Sequence, residues 1–335
     1  MIKAYYMQAG DSAVIEVPDT ELVSNAFEVK DKWIHLQDPT DMEIETVIRK
    51  VGAPEEFIKA ALDEEERARI TSDDGFTLVL VDVPVTKEED GYYSYSTIPL
   101  GIIIGGDTII TVSLRETAII RDFVEGRVKG LSFTKRSWFT LKMLYTVATK
   151  FLQNLRQIDK ASQRLQNELN RSMKNKELMR LLELENSLVY FSTSLQANEA
   201  VINKILRSDI IKKYDEDSEL LEDVQIENQQ AIEMCSIYRS ILSGTMDAFS
   251  SIISNNLNIA MRVLTAVTFI LSIPTLIASL FGMNVGVPWE GDINGFWIVL
   301  AICLVCSSVA GIIIFKKPRI RIKKDKKAKA KKETK

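Results

Sequence analysis

Hydrophobic positions change their rhythm along this chain, and each change marks a different kind of element. Over the first 130 residues, short runs alternate between apolar and polar positions or pack β-branched residues together. Segments 2–7, 13–17 and 33–37 read as strands, as do 68–72, 76–83, 93–104 and 108–113. Between them, 41–51, 54–62 and 117–125 carry apolar residues at helical spacing. The pattern predicts an α+β domain with a mixed sheet over 1–130. From 131 to 213 the period lengthens. Leu144, Ala148, Phe151, Leu155, Ile158, Leu165 and Leu169 recur at steps built from three and four, and Leu181, Leu184, Leu188, Phe191, Leu195, Ile202 and Ile205 do so after a break at 172–175. Two long antiparallel helices with coiled-coil-like faces fit that spacing.

The third helical region is unbroken. Between Asp217 and Phe281 the only proline is Pro274 and the only glycine Gly244. A continuous helix of that span reaches roughly 100 Å at 1.5 Å per residue. Its last part, 263–281, is nineteen residues without a charge, and 296–315 is a second uncharged run of twenty. Each approaches the ~20 residues that cross a bilayer core. The expected organisation is therefore a stalk helix over 214–262, a first span at 263–281, a turn at 282–295, a second span at 296–315 and a tail at 316–335. Met1-Ile2-Lys3-Ala4 lacks the apolar region of a signal peptide, so about 260 soluble residues are expected to precede the membrane hairpin.

Every hydroxyl in the first span falls on one stripe: Thr265, Thr268, Ser272, Thr275 and Ser279. The same steps continue backward through Met261, Asn258, Ser254, Ser251 and Asp247, with Leu264 beside Thr265. Hydroxyls in a membrane helix can bond back to the preceding turn, and small residues let helices approach closely. Neither explanation accounts for a stripe that runs on outside the membrane. A line of oxygens on an otherwise apolar helix is suited to a wet path. One helix cannot enclose such a path, so a symmetric ring of copies is implied. Neutral oxygens suit a hard cation that keeps its water, as Mg²⁺ does, and Met261 with Leu264 could gate by dewetting.

Charge fixes the expected orientation. The net charge is −4, yet residues 316–335 hold twelve Lys or Arg against Asp325 and Glu333, leaving 30 basic and 44 acidic residues elsewhere. A basic tail following a span faces the cytoplasm, and with two spans so does the N-terminal region. The outer turn then carries Glu290 and Asp292 and no basic residue. The tail abuts a span and lacks interleaved aromatics, so it is expected to meet anionic lipid rather than nucleic acid. His35 is the only histidine, which excludes a histidine metal site or a Ser-His-Asp triad in one chain. Cys303 and Cys306 lie inside a span and read as packing residues, Cys235 stands alone, and Gly105-Gly106-Asp107 reads as a hairpin turn. Nothing points to an enzyme or a bound cofactor.

Gly282-Met283-Asn284 at the end of the first span, the acidic turn, the last span and the Lys-rich end together resemble the CorA family of magnesium channels and transporters. The run 273–281 strengthens the likeness. That resemblance implies a funnel-shaped homopentamer in the plasma membrane, with both termini cytoplasmic and Mg²⁺ as both substrate and regulatory ligand. It implies a selectivity filter at Gly282, Met283 and Asn284 and pore positions at Thr275, Ser272, Leu264, Met261, Asn258 and Asp247. Ser272 departs from relatives that hold an apolar residue there. It further implies closure by Mg²⁺ between subunits, at Asp223 and a partner drawn from Glu88, Glu89 and Asp90. Competing expectations are a zinc, cobalt or nickel transporter such as the ZntB branch, and a membrane-anchored coiled-coil scaffold that carries nothing.

Overall fold

The computed structural model describes residues 1–7, 14–18, 28–89, 91–172, 175–207, 216–284, 286–289 and 293–316. They divide into two compact units, Met1–Met246 and Asp247–Lys335. In the first, seven strands form one sheet: β1 (Ile2–Met7), β2 (Val14–Glu16), β3 (Lys32–Gln37), β4 (Arg69–Asp73), β5 (Phe76–Glu89), β6 (Tyr92–Gly105) and β7 (Thr108–Ser113), in the order β2-β1-β3-β7-β6-β5-β4. Only β3 and β7 pair in parallel, so the sheet is mixed.

Helices α1 (Asp41–Val51) and α2 (Glu55–Ala60) sit between β3 and β4 in the chain. Thr40 starts α1 because its hydroxyl accepts from the Glu43 N–H while the Glu43 carboxylate accepts from the Thr40 N–H, closing a capping box. Gly52 ends α1 in the left-handed region at φ 79°, where a side chain would be strained. Ile44, Val47, Phe57 and Ile58 from these helices pack with Ile34, Leu36, Leu78 and Leu80 from the sheet. Helix α3 (Ala118–Val124) is capped by Thr117, whose hydroxyl accepts from Ile120 N–H.

On the opposite side of β3, Trp33 is fully buried among Tyr5, Phe123, Phe133 and Phe139, at centroid separations of 4.7 to 6.0 Å. Its indole N–H donates to Thr111 Oγ1 at 2.9 Å, and the same oxygen lies 2.9 Å from His35 Nδ1. His35 Nε2 has no hydrogen-bond partner among the described residues. Burial, with the positive charges of the N-terminus and Lys3, pulls the His35 pKa down to about 4. The only histidine is therefore a neutral core residue.

Helices α4 (Arg136–Ser172), α5 (Asn175–Arg207) and α6 (Asp217–Phe281) follow. Phe151 of α4 meets Phe191 of α5 edge-on at 5.0 Å. The register of β4 on β5 begins at Arg69 opposite Leu80, so β4 no longer covers the edge of β5 at Asp82. Asn198 of α5 fills that place: its Nδ2 donates to Asp82 O and its Oδ1 accepts from Asp82 N–H, both at 2.8 Å. Ser194 donates to Thr97 Oγ1 and Lys204 to Ile70 O, both at 2.9 Å. The long helices thus belong to the same compact unit as the sheet. Asn228 and Cys235 tie α6 to α5 through the carbonyls of Leu195 and Leu188. Burial pushes the Cys235 thiol up to about 11, which leaves it a packing group.

Candidate ion pathway

The second unit holds the end of α6 and helix α7 (Gly295–Lys316), and these are two helices long and apolar enough to cross a membrane. Pro274 lies inside α6, and the helix continues past it to Phe281. Within its apolar stretch two faces differ sharply. Ala266 is buried, and Ile270, Ile273 and Ile277 are half-buried. Ile270 Cδ1 comes to 3.5 Å from where a Cβ on Gly311 of α7 would stand, so this face packs against the second helix. The face bearing Thr265, Thr268, Ser272, Thr275 and Ser279 is exposed throughout. At 100° per residue the two faces are roughly 150° apart. Thr268, Leu271, Ser272, Thr275, Leu276 and Ser279 line an open groove along the exposed one.

Four of the five hydroxyl hydrogens on this face go to the helix itself. Thr265 donates to Met261 O at 2.8 Å, Thr268 to Leu264 O at 2.9 Å, Ser272 to Phe269 O at 2.9 Å and Thr275 to Leu271 O at 3.0 Å. None of these carbonyls is that of Ile270, the one that Pro274 deprives of its N–H donor. Relief of the proline break therefore does not explain them. With these four hydrogens committed, what those hydroxyls offer outward is lone pairs.

The stripe continues down α6. Ser254, Asn258 and Met261 are exposed, as are Leu264 beside it and Ser251 and Asp247 at its lower end, where the Ser251 hydroxyl donates to Asp247 O at 3.0 Å. All eleven residues expected along the path thus lie on α6 with their side chains open.

Gly282, Met283 and Asn284 form the turn that leaves α6, and all three are exposed. Gly282 N–H donates to Ala278 O at 3.0 Å, which carries the helical ladder one residue past Phe281. The chain returns at Trp289, whose ring stacks on Phe281 with centroids 6.4 Å apart and planes 16° apart. Nothing in the hydrophobic pattern pointed to this pair. Only aromatics flanking the turn could have raised it, and a sequence does not say which two meet. Glu290 and Asp292 lie outside the described residues.

Of the regulatory candidates, Asp223 is exposed on α6 and Glu88 is exposed near the end of β5, while the Glu89 side chain and Asp90 lie outside the described residues. Among the described residues no three His, Cys, Asp or Glu side chains come together as a metal site.

Three comparisons bear on this arrangement. A model of the CorA-like Mg²⁺ transporter protein family matches residues 30–317. The cobalt/magnesium transport protein CorA of Methanocaldococcus jannaschii is 26% identical over 302 residues, which cover 89% of this chain and 93% of that protein. The complete structure of the CorA magnesium transporter from the same organism superposes with a TM-score of 0.76 at 25% identity, over 95% of this chain and 98% of the other. The full-length CmaX protein shares the fold, with a TM-score of 0.68 at 15% identity over 95% and 97% of the two chains.

Proposed function

Since the family match spans most of its length, the chain belongs to the CorA-like Mg²⁺ transporters, membrane proteins that move divalent cations rather than catalyse reactions, and from that premise we propose that it is an Mg²⁺ influx channel. Five copies would surround one axis, each turning the open stripe of α6 inward, with α7 outside. Both termini would lie in the cytoplasm, with the basic tail against the inner leaflet of the plasma membrane.

The observation that carries this reading is the division of α6 into a packed face and an open oxygen-bearing face. Back-bonded hydroxyls alone can face lipid at little cost, but that explanation does not reach Asn258, which continues the same open stripe beyond the apolar span. The waters around Mg²⁺ point their hydrogens outward and need acceptors. Thr265, Thr268, Ser272 and Thr275, whose hydroxyls have spent their own hydrogens, present acceptors there, so the hydrated ion can pass without being stripped, which Mg²⁺ resists. Asn284 and the Gly282 carbonyl would meet the ion first, as the filter. Met261 and Leu264, 58% and 66% exposed, would form the apolar ring that closes the path. An inside-negative potential favours entry by about 2.3 kcal/mol per charge per 100 mV.

Cobalt is a second cargo, supported by the name of the relative from Methanocaldococcus jannaschii. The stripe holds no histidine or cysteine, which favours hard ions over zinc. Regulation would run through Mg²⁺ bound between subunits by Asp223 and an acidic residue among Glu88, Glu89 and Asp90. The bridging ion would offset carboxylate repulsion and hold the ring closed.

The test is ion uptake by liposomes holding the purified protein. Mg²⁺ and Co²⁺ are expected to enter, Zn²⁺ poorly, and Asn284→Ala is expected to abolish Mg²⁺ uptake. Unchanged uptake in Asn284→Ala removes the filter, and Zn²⁺ uptake above that of Mg²⁺ favours the transition-metal reading. For regulation, Asp223→Ala is expected to relieve inhibition by internal Mg²⁺, and unaltered inhibition discards Asp223 as a sensor.

A further inference from the structure

Asn284 follows the end of α6 by only three residues, and its side chain is exposed. Among the described residues none of the hydrogen bonds found in this region holds its amide. A side chain that discriminates between ions by geometry needs a fixed backbone beneath it, because small displacements of a polar group change what it can bind. The C-terminal bond from Gly282 N–H to Ala278 O fixes one end of the turn. The other end is fixed at Trp289.

Three observations converge on that residue. Its ring lies nearly parallel to that of Phe281, the last residue of α6, at 16° and 6.4 Å. Four non-glycine residues have positive φ among those described. Three are aspartates, Asp31, Asp38 and Asp74, which tolerate that conformation, and the fourth is Trp289 at 65°. A bulky side chain there is an outlier that persists only when its surroundings demand it. Finally, a Cβ on Gly295, the first residue of α7, would stand 3.0 Å from Trp289 O and 3.5 Å from Trp289 Cβ. The start of α7 closes on the backbone of Trp289 as the ring closes on Phe281.

We infer that Trp289 is a positioning residue for the ion filter: stacked on Phe281 and clamped by Gly295, it pins the return of the chain and so fixes how Gly282 and Asn284 are presented. This rests on the reading of Gly282–Asn284 as the filter. Among the described residues, Phe281 and Trp289 meet by a ring contact, and no hydrogen bond to Asn284 joins them. Closing so short a loop removes most of its conformational freedom. Aromatic stacking has the reach and flatness to do so at the apolar edge of a membrane, where rings of this kind settle.

The experiment uses the full-length protein in liposomes and reads the ratio of Mg²⁺ to Na⁺ uptake, which a purely structural role would not move in properly assembled protein. Trp289→Ala is expected to lower that ratio by about 2- to 10-fold, the range an aromatic pair supports, with Trp289→Phe restoring it to within about 2-fold of the original. Phe281→Ala is expected to match Trp289→Ala, and the double variant to be no worse than either alone. Gly295→Ala, which displaces Trp289 without altering its ring, is expected to shift the ratio the same way, and it carries the test if Trp289→Ala fails to assemble. An unchanged ratio in Trp289→Ala, or in Gly295→Ala where the former does not assemble, overturns the inference, as do multiplicative effects of the two ring removals. Asn284→Ala separates the failures. If it loses selectivity while Trp289→Ala does not, only the positioning role falls. If it keeps selectivity, the filter itself falls.

Discussion

The two units of this chain bury their apolar residues to opposite extents. In the first, Trp33, Leu36, Leu80, Ile102 and Phe139 are wholly inside. In the second, Leu264 is 66% exposed and Phe296 69%, while Phe249, Ala266 and Cys303 are its buried hydrophobic residues among those described. A sheet flanked by helices finds its hydrophobic partners within its own chain. Two helices of membrane-spanning length cannot, and apolar surface of that kind is matched by lipid. Substitutions in the core of the first unit should therefore act on stability, and substitutions on the α6 stripe on transport.

Four experiments can break that contrast, in falling order of expected effect on stability. Trp33→Ala empties the centre of the aromatic cluster and should cost about 3–5 kcal/mol in denaturant unfolding. The second concerns acid. His35 titrates at 6.5 when unfolded and at about 4 when folded, so the unfolded chain binds the proton first. Its contribution is complete above pH 6.5 and is lost as pH falls toward 4, by up to about 3 kcal/mol. Unfolding measured across that window should lose this slope in His35→Gln. Third, Asn198→Ala leaves the N–H and C=O of Asp82 unpaired and should cost about 1–3 kcal/mol, with Mg²⁺ uptake of the surviving protein retained. Smallest is Thr268→Val, which keeps shape and removes one acceptor. Its thermal midpoint should move by less than ~0.5 kcal/mol equivalent while Mg²⁺ uptake falls. A stability loss at Thr268 as large as that at Asn198 would erase the distinction between the units.

Much of the fold can be read from local pattern. The α1 boundaries follow from the Thr40–Glu43 box and Gly52, and β7 from an uninterrupted β-branched run, and both match the expected spans residue for residue. The 65-residue α6 follows from the scarcity of its breakers. Expectation stopped β5 at 83, whereas the strand runs to Glu89. Pro84 and the charges at 87–89 resemble a strand end. Asp82 turns its N–H to Asn198 at the open edge, so the nitrogen of Pro84, two residues on, faces the same way, where no ladder donor is needed. That exception depends on α5, more than a hundred residues distant, and no local pattern holds it. The stripe was legible because 3.6-residue periodicity lies within one element. The Phe281–Trp289 stack was not, since it joins two elements through a turn of irregular backbone.

Asn198 has a consequence beyond its two hydrogen bonds. A strand that outruns its neighbour exposes a row of backbone donors and acceptors, and such a row recruits whatever extended chain drifts past. By seating a side-chain amide on the first uncovered rung, α5 denies that foothold to foreign strands once the unit has folded.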